Sequence, residues 1–563
     1  MDIKSLIRKY ALQNAVKFDG KANPGNIIGK VIGENPELRK QGKELMKQIQ
    51  EIVKEVNKLG VEKQTEELKK LAPELLEKKT VEKEALKPLK DVEKGKVVMR
   101  FAPSPSGPMH LGHSYPLSLN SEYCRKYGGK LILRIEDTNP ENIYPKAYDM
   151  IPEEAKWITK NNIAEVYVQS DRLDIYYKHA EEVIKKGHAY VCTCPAEKFR
   201  EMKLKSIPCP CRTLSSKENM ERWKKMFKEY KEGGAVLRIK TNIKHKNPAM
   251  RDWPAFRINE SEHPRQKKKY KVWPLMNFSV AVDDHEMGMT HTLRAKDHMD
   301  NEKRQKVLYD YMGWKMAETT YVGKINFEDM KVKCSYTRPL IEDKTFEGWD
   351  DIRIPFLAAM KRRGYQPEAF ISYSLDVGVT QNDKKVSKVE FFKALDHFNK
   401  EVLEPKSNRY FFIDSPVEVV IEGAPSQAIE LDLHPDNKKG GRKFKAKDKF
   451  YLAKLDVDNL KEGKLYRLMD CLNFVKKKGK LVFDSLEYEK YKEKGAGIIH
   501  WLPSNKDVLH VSVRLPDNTI RKGLGENAML KLKKGDIVQL ERFAFARLDK
   551  KEDSKLEFWF THN

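Results

Sequence analysis

Two histidines three positions apart, two cysteine pairs, and single charged residues at the ends of apolar runs are the groups in this chain with obvious chemical reach. His110 and His113 fall in the run KVVMRFAPSPSGPMHLGHS, which reads as a short apolar strand from Val97 to Met99 that breaks at Ala102-Pro103-Ser104-Pro105. Pro103 and Pro105 cannot lie inside a parallel sheet, and Gly107-Pro108 punctuates a turn. A helix is expected from near Met109, which brings the imidazoles, at i and i+3, to one face of its first turn. That turn carries unpaired N–H groups and the positive end of the helix dipole, so it favours anions, phosphate above all. Imidazoles there can donate hydrogen bonds to a phosphoryl oxygen as charge builds on it. Gly112 between them leaves room for a flat ring against the backbone.

The cysteines offer different chemistry. Cys192 and Cys194 are followed, 14 residues on, by Cys209 and Cys211. In an extended chain i and i+2 share a face, so each pair can present two thiolates to one ion. Two pairs make a closed four-thiolate site suited to structural Zn²⁺, with no open position for catalysis. The alternative is four buried or idle thiols, against which the polar neighbours Lys203, Lys205 and Arg212 speak. Seven cysteines, four of them clustered, do not suggest a disulfide framework.

The elements that must position these groups alternate from residue 96 onward between strand and helix patterns, which implies a parallel sheet. Lys130 to Ile135 reads as a buried strand ending at Glu136. Doubly wound sheets hold ligands at the carboxyl ends of their strands, where Glu136 can accept from a substrate ammonium. Equally, Asp137 or Asn139 beside it can cap the next helix. Phe278 to Val282 reads as an apolar strand ending at Asp283-Asp284, and Thr290 to Arg294 as another. Arg294 at a carboxyl end offers a two-pronged fork to a carboxylate, which a planar amide matches less well.

RFAPSPSGPMHLGH resembles the first signature, the "HIGH" motif, of class I aminoacyl-tRNA synthetases, and its RFAPSPSG lead-in resembles the glutamyl branch. The resemblance implies that Arg100, Ala102 and Ser104 line a glutamate pocket and that His110, Gly112 and His113 hold ATP. RIEDTNP matches the family too, with Glu136 facing the amino acid. In that family an arginine at the Arg294 position goes with glutamate, and another residue goes with glutamine. Met276 departs from the pattern, since bacterial relatives carry tyrosine there. The second signature, "KMSKS", supplies lysines that neutralise departing pyrophosphate. Lys385 to Val389 is closer to it by letters. Family order instead favours Met330-Lys331-Val332-Lys333-Cys334-Ser335, which precedes Gly348-Trp349-Asp350-Asp351. Lys331 and Lys333 are then expected at the phosphates with Ser335 on the ATP side, although Lys333 and Cys334 depart from the usual spelling. Lys385 to Val389 is read as the approach to a helix. The cysteine cluster resembles the zinc module in the acceptor-stem-binding domain of many glutamyl enzymes.

Lys and Arg exceed Asp and Glu by 108 to 83, which fits a binder of polyanions or merely a lysine-rich proteome. No signal peptide opens the chain and no apolar run reaches membrane-spanning length, so a cytoplasmic protein without a membrane partner is expected. Residues 1–95 read as charged helices, with Leu6, Ala11, Leu12, Ala15 and Val16 on one face and Leu45, Ile49, Ile52, Val53 and Val56 on another. They resemble the tRNA-contacting extension of archaeal-type glutamyl and glutaminyl enzymes, with a loop at 21–30 and helical periodicity from Glu37 to Leu86. By the same resemblance, residues 96–190 and 272–324 are expected to form the two halves of the catalytic fold. Residues 191–271 are expected to form the inserted acceptor-stem-binding domain, in which the basic tract 265–271 is either an RNA-phosphate contact or an exposed loop. Residues 325–407 are expected to carry the second signature and stem-contacting helices, with Ile354 to Met360 and Pro367 to Leu375 as amphipathic examples. Short strands fill 408–563, including Lys449 to Leu455 and Ile537 to Ala546, and imply β-barrels. The ending VQLERFAFARLDKK…FWFTHN resembles the two-barrel anticodon-binding region of the archaeal and eukaryotic type.

The fold class expected is therefore an α/β Rossmann-like class I synthetase domain with an inserted acceptor-stem domain, helical N-terminal and linking regions, and C-terminal β-barrels. The resemblance implies a monomeric ligase that uses ATP and Mg²⁺ to convert L-glutamate to glutamyl-adenylate and passes the acyl group to tRNA(Glu), with tRNA(Gln) a second candidate acceptor. Two rivals are a glutaminyl enzyme of the same architecture and a non-catalytic tRNA-binding relative, the latter suggested by the altered 331–335 loop.

Overall fold

The apolar runs flanking the HLGH motif build a parallel sheet. Strand β1 (Val98–Phe101) leads through the turn and the helix Leu111–Tyr127 to β2 (Lys130–Ile135), and β2 pairs in turn with β3 (Glu165–Val168). Met99, Leu131 and Leu133 from the strands and Leu117 and Leu119 from the helix are buried together. The structure, a computed structural model, describes residues 2–18, 20–72, 75 and 86–563. Its contacts separate the chain into two units, Met1–Glu84 and Ala85–Asn563.

Between the two parts of the parallel sheet runs an antiparallel sheet of four strands, β4 (Ala189–Cys192), β5 (Val236–Ile239), β6 (Pro254–Ile258) and β7 (Val272–Pro274). The parallel pair β8 (His291–Ala295) and β9 (Glu318–Val322) follows. The N–H of Thr290 donates to Val98 O at 3.1 Å and the N–H of Val98 to Thr290 Oγ1 at 2.9 Å, which lays β8 along the free edge of β1. From β1 the chain thus winds one way through β2 and β3, while β8 and β9 lie on the other side. The crevice between β1 and β8 is a topological switch point, where ligands of open α/β sheets sit.

One expected strand is a helix. Phe278 to Val282 belongs to the helix Met276–Glu286, in which every residue from Phe278 to Asp284 is buried. A segment enclosed on all sides has no polar face, so its helical period is invisible in the sequence and a short apolar run is ambiguous. The HLGH helix begins at Leu111, with His110 as the residue that caps it. Ile354 to Phe356 precede the helix Leu357–Arg363. The helix Pro367–Val377 covers the segment read as Pro367 to Leu375.

In the N-terminal unit four α-helices, Ile3–Lys17, Gly25–Glu34, Gly42–Val56 and Val61–Leu71, enclose Ile7, Leu12, Ile49, Val53 and Leu68 among the described residues. The segment 21–30 is a loop only as far as Pro24, because burial of Ile27 and Val31 carries the chain into a helix despite Gly25 and Gly29. Within the helical stretch expected from Glu37 to Leu86, residues 73–74 and 76–85 lie outside the described residues.

From Arg409 onward two seven-stranded sheets form, with a separate hairpin of Gln427–His434 and Asn437–Ala446. Ile537 to Ala546 is two strands joined by a turn with Arg542 at positive φ, and Lys449 to Leu455 gives way after Ala453 to a short helix. No helix among the described residues is long and apolar enough to cross a membrane.

The entry into β2 tolerates no side chain at Gly129, where a Cβ would fall 2.4 Å from Val97 O. Gly129→Ala is expected to destabilise the catalytic unit by about 1–3 kcal/mol, read by denaturant unfolding.

Candidate active site

The crevice between β1 and β8 opens into a cavity of about 620 Å³. Its wall carries Arg100, Ala102, His110, Gly112, His113, Glu136, Arg294 and Lys333 from the residues that the sequence singled out, together with Met276. Ser104 is exposed and does not line the cavity, and neither do Lys331 and Ser335. The Lys331 ammonium lies 4.2 Å from the centre of the Tyr336 ring, and Ser335 is exposed in the first turn of the helix Cys334–Glu342.

One end of the cavity is cationic. Asp284, on the buried helix Met276–Glu286, receives Arg100 Nε at 3.2 Å and Arg134 Nη1 at 2.7 Å on Oδ1, and Arg294 Nη2 at 3.1 Å on Oδ2. Its neighbour Asp283 receives Arg172 Nε at 2.8 Å and the Tyr176 hydroxyl at 2.7 Å. Arg134 Nη2 also donates to Glu136 Oε1 at 3.1 Å. Four arginines thus face three carboxylates, and Arg294 Nε is buried with no acceptor. Burial raises the Asp284 carboxyl, but the guanidiniums of Arg100, Arg134 and Arg294 overcome it and hold the group below its ordinary range. Burial raises Glu136 against the pull of Arg134 and Arg100.

The other end is neutral and donor-rich. His110 Nδ1 accepts from the Gly112 N–H at 3.1 Å, and His113 Nδ1 accepts from the His110 N–H at 3.2 Å. With both Nδ1 atoms accepting, the ring protons sit on Nε2. The rings stack with centroids 3.8 Å apart. Burial, with a smaller contribution from His113, lowers His110, and burial alone brings His113 down to about 4, so both rings are uncharged donors at neutral pH. The turn that carries them is fixed from two sides. The Met109 N–H donates to Glu154 Oε2 at 2.7 Å, and the chain at Pro355 to Leu357 exchanges backbone hydrogen bonds with Met109 and Leu111. Burial pushes Glu154 up to about 8.

Another part of the rim comes from the segment after β9. Lys324, Val332 and Lys333 face the cavity, and Lys333 caps the helix Cys334–Glu342. Cys334 Sγ lies 3.5 Å from Pro108 O, and Arg338 donates to Ser106 O, so this helix is tied to the Pro-rich turn ahead of HLGH. The strand Lys384–Val386 pairs with Ile325–Phe327 behind the loop, and Ser387 caps the helix Lys388–Leu403. Lys385 to Val389 is a helix approach, as its composition suggests, and does not line the cavity.

Away from this site the four cysteine sulfurs lie within 4.8 Å of one another. Cys192 Sγ is 3.5 Å from Cys209 Sγ, and Cys194 Sγ is 3.4 Å from Cys209 Sγ and 3.9 Å from Cys211 Sγ. Two details differ from the sequence reading. Cys209 and Cys211 flank the start of a 3₁₀ turn, Pro210–Thr213, instead of an extended segment, and Cys192, Cys209 and Cys211 are buried. Lys205 is exposed and Lys203 half-buried, while Phe199 packs with the sulfurs. In the basic tract, Arg265 pairs with Asp171 at 2.6 Å.

Arg134, Asp283, Asp284, Lys324 and Gln305 are site residues that sequence reasoning passed over. An arginine inside an otherwise apolar strand and an acidic pair inside an apolar run were the available signals, since buried charges demand partners. Asp284→Asn leaves the guanidiniums of Arg100, Arg134 and Arg294 without their shared counter-charge. It is expected to cost about 3–5 kcal/mol, measured as a fall in unfolding free energy.

Known proteins resemble the chain along its whole length. The model of the catalytic domain of tRNA synthetases class I (E and Q) matches residues 96–405, and two anti-codon binding domain models of the same group match 407–486 and 498–549. The glutamate–tRNA ligases of Methanobrevibacter smithii and Pyrococcus abyssi are each 44% identical, with 100% of both chains covered. A crystal structure of a glutamate tRNA ligase from Elizabethkingia meningosepticum in complex with its amino acid is 21% identical, with 56% of this chain and 70% of that chain covered and a TM-score of 0.41. With a signature-bearing cavity at the switch point and full-length relatives on both sides of it, the chain belongs to the class I tRNA synthetases of the E and Q group.

Proposed function

We propose that this chain is a glutamate–tRNA ligase that activates L-glutamate with ATP and transfers it to the 3′ end of tRNA(Glu). The observation that carries the choice of amino acid is the charge of the cavity's inner end. Arg100, Arg294 and Glu136 line that end and belong to a buried network in which four arginines meet three carboxylates, and the Arg294 Nε–H lacks an acceptor. Glutamate, which carries one net negative charge, supplies the missing anion. Glutamine, with no net charge, does not.

In this reading the side-chain carboxylate of glutamate meets Arg294 and Arg100, and Glu136 accepts from its ammonium. Ala102 and Met276 form the wall beside it. The triphosphate of ATP lies over the start of the HLGH helix, where free N–H groups and the Nε2–H donors of His110 and His113 meet it. Mg²⁺ enters with the phosphates as part of the substrate. The α-carboxylate of glutamate attacks the α-phosphorus, the bond to the bridging oxygen breaks, and pyrophosphate leaves toward Lys333 and Lys324. Lys331 and Ser335 join it when the loop shifts. The terminal ribose hydroxyl of the tRNA then attacks the carbonyl of the mixed anhydride and displaces AMP. Alignment and preorganised charge perform both steps, and neither needs a side-chain nucleophile.

The domain division follows from this reading. Residues 1–95 contact tRNA, 96–190 and 272–324 form the catalytic halves, and 191–271 grip the acceptor stem. Residues 325–407 carry the mobile loop and stem helices, and 408–563 bind the anticodon. The cysteine cluster in 191–271 fits Zn²⁺. Tetrahedral thiolates at about 2.3 Å from one ion stand about 3.8 Å apart, close to the spacings between these sulfurs. The ion would cross-link the end of β4 to the turn at Pro210 and supplies no chemistry to the reaction.

Charging assays with both amino acids test the ligase reading. Glutamate is expected to be esterified to tRNA(Glu) and glutamine not. Arg294→Gln should lower kcat/KM for glutamate by at least about 100-fold. Efficient charging with glutamine, or none with either amino acid, overturns the reading. Metal analysis of the purified chain should find about one zinc per molecule, and Cys209→Ser should release it. A value far below one defeats the zinc assignment.

A further inference from the structure

Arg294 is held by two acceptors of different kinds. Asp284 Oδ2 takes one Nη2 proton at 3.1 Å, and Gln305 Oε1 takes one from Nη1 at 2.6 Å. Gln305 stands on the helix Met299–Met312 that follows β8, is 2% exposed, and forms part of the cavity wall. The two contacts fix the plane of the guanidinium. Its Nε–H stays without an acceptor in a side chain that is 8% exposed.

We propose that Gln305 is a specificity-determining residue, because it orients Arg294 without neutralising it. The inference rests on the reading of the substrate as glutamate. An amide oxygen accepts as well as a carboxylate but adds no charge. A glutamate side chain reaches the same distance, so position 305 can accommodate a carboxylate without a change of volume. It would then become the fourth carboxylate against the four arginines Arg100, Arg134, Arg172 and Arg294, and the site would cease to lack an anion. The preference for an acidic substrate therefore depends on position 305 remaining neutral, as well as on the presence of Arg294. An apolar residue of similar length would leave the charge in place and remove the orientation. Charge and orientation can thus be separated at one position.

The test uses the full-length enzyme, tRNA(Glu), and two substitutions. Glutamate charging is measured as kcat/KM, glutamine is added as a competitor, and the ratio of the two affinities is the readout. Gln305→Glu is expected to keep or raise the melting temperature, because it replaces the neutral acceptor of Arg294 by a charged one. It should raise KM for glutamate by about 100-fold and lower the glutamate-to-glutamine ratio by at least about tenfold. Gln305→Met should keep that ratio within about threefold of wild type while lowering kcat/KM for glutamate by about tenfold, since the guanidinium is charged but loosely held. A structural role alone would lower stability and leave the ratio unchanged. An unaltered ratio in Gln305→Glu overturns the proposal, as does a fall in ratio in Gln305→Met equal to that in Gln305→Glu. Failure of Gln305→Glu to fold contradicts the premise that position 305 accommodates a carboxylate and overturns the proposal, as does wild-type kcat/KM in Gln305→Met. A wild-type chain that fails to charge glutamate overturns the ligase reading itself, an outcome distinct from retained charging with unchanged discrimination.

Discussion

One carboxylate holds the catalytic unit together at its most costly point. Asp284 lies under the sheet and is shared by Arg100 at the end of β1, Arg134 on β2 and Arg294 on β8. Three strands from distant parts of the chain are therefore tied at their ends through a single group. Asp283, the next residue on the same helix, takes Arg172 and Tyr176 and lies 3.7 Å from Arg134 Nε, so Arg134 bridges the two adjacent acids. Charges buried to this degree depend on their partners, since their hydration has been given up. Arg100 shows the strain of that balance. Burial lowers it, Asp284 restores it, and the neighbouring Arg294 and Arg134 oppose it again.

That network gives the cavity two ends of different electrical character. At the arginine end charge is fixed, and the substrate must match it. At the histidine end the rings are neutral and offer directed N–H donors, dipoles that need no rearrangement as negative charge shifts on a bound anion. The lysines stand on a separate rim, on a segment anchored by Cys334 and Arg338 to the turn before HLGH. Those two contacts seat the segment against the turn that leads into HLGH. The tie is local, a sulfur against a carbonyl and a guanidinium against another, and burial raises the Cys334 thiol to about 11, so it contacts Pro108 as an uncharged group.

What the sequence revealed and what it concealed divide along physical lines. HLGH was legible because proline, glycine and histidine each restrict the backbone or carry chemistry at known spacing, and Arg294 because a lone charge after an apolar strand needs a reason. The cysteine cluster was legible by composition, although its burial was not, since covering by Phe199 is a tertiary event. The helix Met276–Glu286 was read as a strand because full enclosure erases the polar stripe that marks helices. Gln305 gave no signal at all, as an amide on a charged helix is ordinary until its partner is known. Ser104, Lys331 and Ser335 came from resemblance alone, which ranks positions in a motif but not the side on which each side chain emerges. The C-terminal strands were found where alternation was strong and missed at the Gln427–Ala446 hairpin, where lysines and glycines dominate.

The wide spacing of the Asp284 network along the chain has a consequence for how the protein is made. Arg134 emerges from the ribosome 150 residues before its acidic partner on the buried helix. At about 5–20 residues per second that gap lasts roughly 8 to 30 s, during which β1 to β3 can pair but carry arginines that cannot yet be enclosed. The nascent sheet must wait, open and hydrated on its ligand side, until the whole insertion between β3 and the Asp283-Asp284 helix has been translated. The inserted domain is thus a delay as well as a structure, and commitment to the native sheet comes late in synthesis.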